Sequence, residues 1–452
     1  MQNAQQYSIE NVTLIQNDGQ LRELKYLIVE LSIYEDLFSP TMTGHFTLTD
    51  AQGFIETFDI SGFNFIEITF SKTGVDDLNK IKKTFRVYKI GDRKQSTRSS
   101  EIYTIFFCSE ELFISEQTKV VKSFKEKQIS EIVNSILTNN LSVSSNKIGT
   151  IEPTTGVYNF IIPNLKPFET INWLSTYAKS AEIIENRTGA DLLFFENNKG
   201  FNFRSIQSMM YEDSVGTYHY DPQGLPNQTR DLEYLMTRIL SYKFVETFDT
   251  LKHINSGSFA NKLIALDPIL RTSTISEFKY DDYFPNSISL NNYGVTSNYK
   301  NRFNKSVSDT TDAVVKVATS NAQQRNFPLI KNDSVAYATI APNIDIETYV
   351  PYRTAQLSLA NYTKIEFNIP GDPKLKVGDV IEILLPSLSN REQNAIDAIE
   401  DPYYSGYYLI SGIRHMLDGR GTYLCVVEAI KDSVSRAHIV YNNSGMKSVR
   451  EA

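Results

Sequence analysis

Five histidines, two cysteines and 53 acidic residues are the groups here that could bind a metal, move a proton or attack a carbonyl. The histidines are His45, His219, His253, His415 and His438. None has a second histidine or cysteine at metal-ligand spacing, so HExxH, CxxC and HxH are all missing. There is no GxSxG elbow, and neither cysteine sits in a protease signature. Cys108 and Cys425 lie in apolar, strand-like runs and read as small buried hydrophobes. Two cysteines also exclude a disulfide scaffold and a four-cysteine zinc site. The paired acids Asp76-Asp77 and Asp281-Asp282 fall in loop-like contexts and read as solvated charge, whereas a glycosidase needs two carboxylates across a cleft. His219, in YHYDP (218–222), reads as part of a tyrosine-rich turn. The expectation is a chain with no catalytic, cofactor-binding or metal-binding residues.

Many α/β enzymes place chemistry where a strand turns into a helix, and residues 158–174, YNFIIPNLKPFETINWL, form such a junction. Tyr158, Phe160 and Ile162 share one face of a strand. Pro163 removes a ladder donor and Pro167 suits a first helical position. Phe168, Ile171, Leu174, Tyr177 and Ala178 then follow at helical spacing. The connector 164–166 has no glycine, so it cannot cradle phosphate as a P-loop or dinucleotide loop does. The junction reads as a packing joint.

The chain of 452 residues is long enough for two to four domains, with 41% hydrophobic and 22% charged residues. No apolar run reaches a membrane-spanning length. The start, MQNAQQYSIEN, lacks the basic and apolar segments of a secretory signal. Aromatic residues make up 12%, nearly all Tyr and Phe with Trp173 alone, and together with many Ile, Val and Thr they favour strands. A net charge of −8 argues against electrostatic capture of nucleic acid, which needs a basic footprint, and suits a surface that nucleic acid passes without sticking.

Residues 1–113 read as a β-rich domain, with strands at Tyr7–Ile15, Gly44–Thr49, Phe63–Ser71, Thr84–Ile90 and Ile102–Cys108. Residues 114–235 read as an α/β domain. It holds a helix over Ile129–Leu137, the junction above, and a hairpin of 191–196 and 201–204 about Asn197-Asn198-Lys199-Gly200. Strands resume at Arg238–Phe244 and Ser258–Leu266, assigning 236–270 and 345–435 to a second, discontinuous β domain. Residues 271–344 read as an irregular insertion and 436–452 as a frayed tail. The two β domains look like copies. NFIEITFS (64–71) and DVIEILLPS (379–387) both carry Ile-Glu-Ile, and each precedes a hairpin, 85–111 and 406–432. HFTLTD (45–50) and KIEFNIPGD (364–372) precede them in turn.

Five motifs in order resemble the central hub proteins of phage contractile-tail baseplates, the T-even myophage type, related to the N-terminal hub part of VgrG spike proteins. They are FSPTMTGHFTLTD (38–50), VYNFIIPNLKPFETINWLSTYA (157–178), ADLLFFENNKGFNFRSI (190–206), GSFANKLIALDPILRTSTISEFKYDDYF (256–284), and VGDVIEILLPS followed by 406–432. The resemblance implies a β-rich α+β multidomain fold with two related β-barrel domains, a central α/β domain and an irregular insertion. It implies a homotrimer whose six barrels form a pseudo-sixfold ring between the sixfold tail tube and the threefold central spike, with DNA passing through. The sequence ends soon after the second barrel, so the spike is expected to be a separate protein, and any lysozyme activity should belong to it. Tail tube, tape measure and baseplate wedge proteins are the further expected partners, and the expected location is the virion tail baseplate, after assembly in the host cytoplasm. A hub of a non-phage contractile injection system, or a tail-associated glycan depolymerase, are the alternatives left open by the sequence.

Overall fold

The computed structural model describes residues 7–448 except 17, 59, 73–79, 183–188, 222–231, 268–270, 297–299, 320–326, 332–333, 339–345, 388–399, 437–439 and 442–446. Asp76-Asp77, His438 and most of the C-terminal tail therefore lie outside the described residues.

Among the described residues thirteen strands build one continuous sheet. In chain order they are β1 Tyr7–Ile15, β2 Leu21–Glu23, β3 Ile28–Asp36, β4 Thr43–Asp50, β5 Phe65–Lys72, β6 Ile81–Thr97, β7 Ser100–Cys108, β8 Thr217–His219, β9 Ser241–Glu246, β10 Thr363–Pro370, β11 Val380–Leu384, β12 Gly406–Asp418 and β13 Thr422–Lys431. Their order across the sheet is β9-β10-β13-β12-β3-β4-β7-β6-β5-β1-β2, with β11 also on β12 and β8 on β11. The two expected β-barrel domains do not stand as separate sheets, and among the described residues no ladder returns to its first strand. The two β domains are instead fused by β12 and β3, which pair from Gly412↔Asp36 to Asp418↔Glu30. Strand β3 escaped the sequence reading although Leu31 and Ile33 alternate with Glu30, Ser32 and Tyr34.

Period-two patterning makes the sheet two-faced. Along β4, Gly44, Phe46 and Leu48 are buried while Thr43, His45, Thr47 and Thr49 are half-buried on the other face. The apolar faces of both β domains merge into one core containing Val12, Ile66, Phe107, Ile381, Tyr408 and Val427.

The α/β region follows the sequence closely. The strand Tyr158–Ile161 pairs with Ser123–Lys127, and the helix Pro167–Ser175 begins at Pro167. The Glu169 side chain accepts from the Lys166 backbone N–H at 3.1 Å, which satisfies a donor at the helix start. Phe168, Ile171, Leu174 and Ala178 are buried in a second core, with Trp173 edge-on to Phe160 at 5.5 Å. The helix Ile129–Asn139 and the hairpin Leu192–Asn197/Gly200–Ser205 complete it.

The segment between the two parts of the second β domain differs from expectation. Ala260–Asp267 pairs with Thr272–Lys279 and Val314–Thr319 in a separate three-stranded sheet, not with the large one. Residues 346–359 form a helix over that sheet, with Ala355 and Leu359 in a third core beside Phe278. The second β domain therefore resumes at β10, and the excursion from the sheet starts directly after β9. The physical reason is pairing: strand propensity at 260–267 does not reveal which neighbour it joins.

Candidate functional site: a doubled strand unit and its charge-paired face

Ladder register shows that the large sheet contains one five-strand unit twice. The order β3-β4-β7-β6-β5 is matched by β9-β10-β13-β12-β11. In the first unit Ile66 faces Phe85, and Phe65 faces Arg86, which faces Cys108. In the second, Ile381 faces Tyr408, and Val380 faces Leu409, which faces Ile430. Ile66-Glu67-Ile68 and Ile381-Glu382-Ile383 thus hold equivalent positions, with all four isoleucines buried and both glutamates half-buried. The irregularities repeat too. The register of β6 on β7 shifts between Val87 and Lys89, and that of β12 on β13 between Ile410 and Gly412. The extra residues, Tyr88 and Ser411, occupy the same place. The units diverge at one edge: β1 lies antiparallel on β5, but β8 lies parallel on β11.

The polar face of the sheet carries charge that is matched strand by strand. Lys243 on β9 pairs with Glu366 on β10 at 2.8 Å, and Lys364 on β10 with Glu428 on β13 at 2.7 Å. Arg414 on β12 meets Glu30 on β3 at 2.6 Å, across the joint between the units. Each pair is partly exposed, so each stabilises the fold by about 0–1 kcal/mol. Their larger effect is electrostatic: each of these three cations has a carboxylate partner, which weakens its attraction for phosphate.

Beneath the joint lies a buried polar relay. Glu196, on the central hairpin, accepts from the Met42 backbone N–H at 2.9 Å and from the Ser109 hydroxyl, with Lys83 Nζ at 3.8 Å. Lys83 donates to the Asn197 carbonyl at 3.2 Å, and Asn197 Nδ2 donates to the Val377 carbonyl at 3.3 Å. The Val377 N–H donates to Glu35 Oε2 at 3.2 Å, while Glu35 Oε1 is buried without a hydrogen-bond partner. First unit, second unit and central domain are pinned together by these bonds. Burial pushes the Glu35 carboxyl up to about 8, against the pull of the Val377 N–H and Lys83.

The chemistry-bearing residues of the sequence are dispersed. His45 stacks on Tyr34 on the polar face, His219 lies 4.1 Å from the Tyr234 ring, and His253 is buried near Ser258 and Tyr362. Asp281 and Asp282 lie in the short helix Tyr280–Tyr283, not in a loop, and are exposed. One cluster was invisible in the sequence. His415 Nδ1 lies 2.8 Å from the Tyr423 hydroxyl and 3.4 Å from Cys425 Sγ, because β12 and β13 pair His415 directly with Cys425. It cannot act as a thiolate–imidazolium pair. Burial pushes the Cys425 thiol up to about 12 and holds His415 down at about 4, so both are neutral, and both side chains are fully enclosed. Among the described residues no group of three or more His, Cys, Asp or Glu could hold a metal.

This fold is shared with tail proteins of known structure. The tail protein from Neisseria meningitidis MC58 matches at a TM-score of 0.52 with 10% identity, over 95% of this chain and 98% of its own. The 43 kDa tail protein of prophage MuSo2 from Shewanella oneidensis also gives 0.52, with 9% identity over 94% and 98%. In sequence, the chain is 21% identical over 414 residues to the probable baseplate hub protein gp334 of Vibrio phage KVP40, covering 90% of each. No family model matches the chain. The likenesses are thus in fold to two tail proteins and in sequence to a probable baseplate hub protein.

Proposed function

We propose that this chain is the central hub subunit of a phage contractile-tail baseplate. Three copies form a ring of six similar strand units, which seats a sixfold tail tube on one side and a threefold spike protein on the other. The observation that carries this reading is the doubled unit with matching register and matching bulge. A threefold body presents six similar surfaces only if each chain supplies two, and backbone geometry, unlike side-chain identity, is what must repeat. The charge-paired face supports a role as channel wall for DNA in transit, since three copies carry three times −8, or −24. Tape measure and wedge proteins are further partners in this reading, and hydrolase, transferase and metal chemistry have no part in it. The test is mass in solution. Light scattering at micromolar concentration should give three chains, and a monomer would overturn the ring.

A further inference from the structure

The internal joint is a template for a joint that the single chain leaves unmade. Strand β3 uses one edge for β4 and the other for residues 412–418 of β12. Among the described residues its counterpart β9 has a ladder on β10 alone. The counterpart of 412–418 is the second half of β6, from Lys89 onward, which among the described residues has a ladder on β7 alone because β5 covers only Ile81–Arg86. Among the described residues each unit thus shows one unpaired edge of alternating N–H and C=O groups, the counterparts of the two edges already joined once by β3 and β12.

The geometry points to these edges pairing between copies of this chain, the end of β9 at Glu246 and the two residues after it onto Lys89–Gly91 of the next. Transfer of the internal register fixes the partners. Gly412↔Asp36, Ile413↔Glu35 and Arg414↔Tyr34 become Lys89↔Phe248, Ile90↔Thr247 and Gly91↔Glu246 of the neighbouring copy. The occupant is a second copy for two reasons. The edges are complementary in a head-to-tail sense, so neither can pair with itself by twofold symmetry in this register. The apolar residues beside them are also exposed in the single chain: Tyr88 46%, Val245 52% and Phe248 61%. Ser411, the internal counterpart of Tyr88, is fully buried under the joint. An exposed apolar edge strand invites indiscriminate association, and a defined partner removes that hazard. The inference rests on the ring reading above and adds to it which edges meet and in what register.

The test is a cysteine pair, Lys89→Cys with Phe248→Cys, in the full chain. Both residues are exposed. The native thiols are buried and held near 12, so they do not compete. Seven strand-to-strand steps lie between β9 and β6 in one chain, and a link between two chains is told from an internal one by its doubled mass. Oxidation should give covalent oligomers on a denaturing gel. A control, Lys89→Cys with Lys243→Cys, is displaced by about 16 Å along the strand and should not link. No link, or equal linking by the control, overturns the inference, even where light scattering still shows three chains; a monomer by light scattering overturns the ring as well. An independent pair uses charge. Phe248→Lys opposite Lys89 should weaken association at least tenfold, and adding Lys89→Glu should restore it. A Phe248→Lys variant that associates normally, or is not rescued, counts against the register.

Discussion

Replacing Glu35 by glutamine should make the protein less sensitive to alkali. Glu35 is fully buried, with one carboxylate oxygen on the Val377 N–H and the other without a partner. Its carboxyl is raised from 4.5 to about 8, chiefly by burial. The native state therefore keeps a proton that the unfolded chain releases above about pH 4.5. By linkage, this group's contribution is fully present below that pH and is lost as pH rises towards 8. At about 1.4 kcal/mol per pH unit, the loss between pH 5 and pH 8 is about 3–4 kcal/mol. Glutamine is neutral throughout and keeps the acceptor for Val377. Urea denaturation followed by circular dichroism, at several pH values, compares the two proteins. Other titrating groups, such as Lys431, whose amine burial lowers to about 7, contribute equally to both and cancel in the difference. Stability of the variant relative to the parent should rise by about 3–4 kcal/mol across that range. Parallel pH profiles would refute the assignment of a protonated Glu35.

The remaining expectations follow from equally local features. Gly371→Ala should destabilise the second unit by about 3 kcal/mol or more in urea, because an added Cβ would sit 2.1 Å from the Tyr423 ring in a closed core. Glu366→Lys with Glu428→Lys removes the partners of Lys243 and Lys364, so duplex DNA affinity should rise at least tenfold and fall steeply with salt in a fluorescence-anisotropy titration. A gain of that size is checked against the parent, for which no sub-micromolar binding is expected at physiological salt. Cys108 and Cys425 should resist a thiol reagent at pH 8 and react on unfolding, since burial holds both near 12.

What the sequence made legible was local. Alternation placed β1 over the residues observed, and Pro167 marked the helix start it occupies. The two Ile-Glu-Ile runs, separated by over 300 residues, proved equivalent because burial on one face forbids a register slip of one residue. What stayed hidden was pairing at a distance. Nothing in IVELSIYED says that its second edge takes β12, and so fusion of the two β domains into one sheet was not foreseen. Ala260–Asp267 has strand composition but joins a different sheet. The His415–Tyr423–Cys425 cluster depends on a hairpin register that spacing alone does not fix, and Glu35 and Glu196 look like ordinary surface acids until the elements above them are in place.

In the first unit β3 passes to β4 through the short turn 37–42, while in the second unit the equivalent passage from β9 to β10 spans residues 247–362. One of two interchangeable turns has become an outgrowth with its own sheet, helix and core. A closed circle of such chains bears the outgrowth at alternate stations only. A partner that grips the wall counts units; one that grips the outgrowths counts chains. Two bodies of different rotational order can then rest on one molecule, each meeting a surface of its own periodicity.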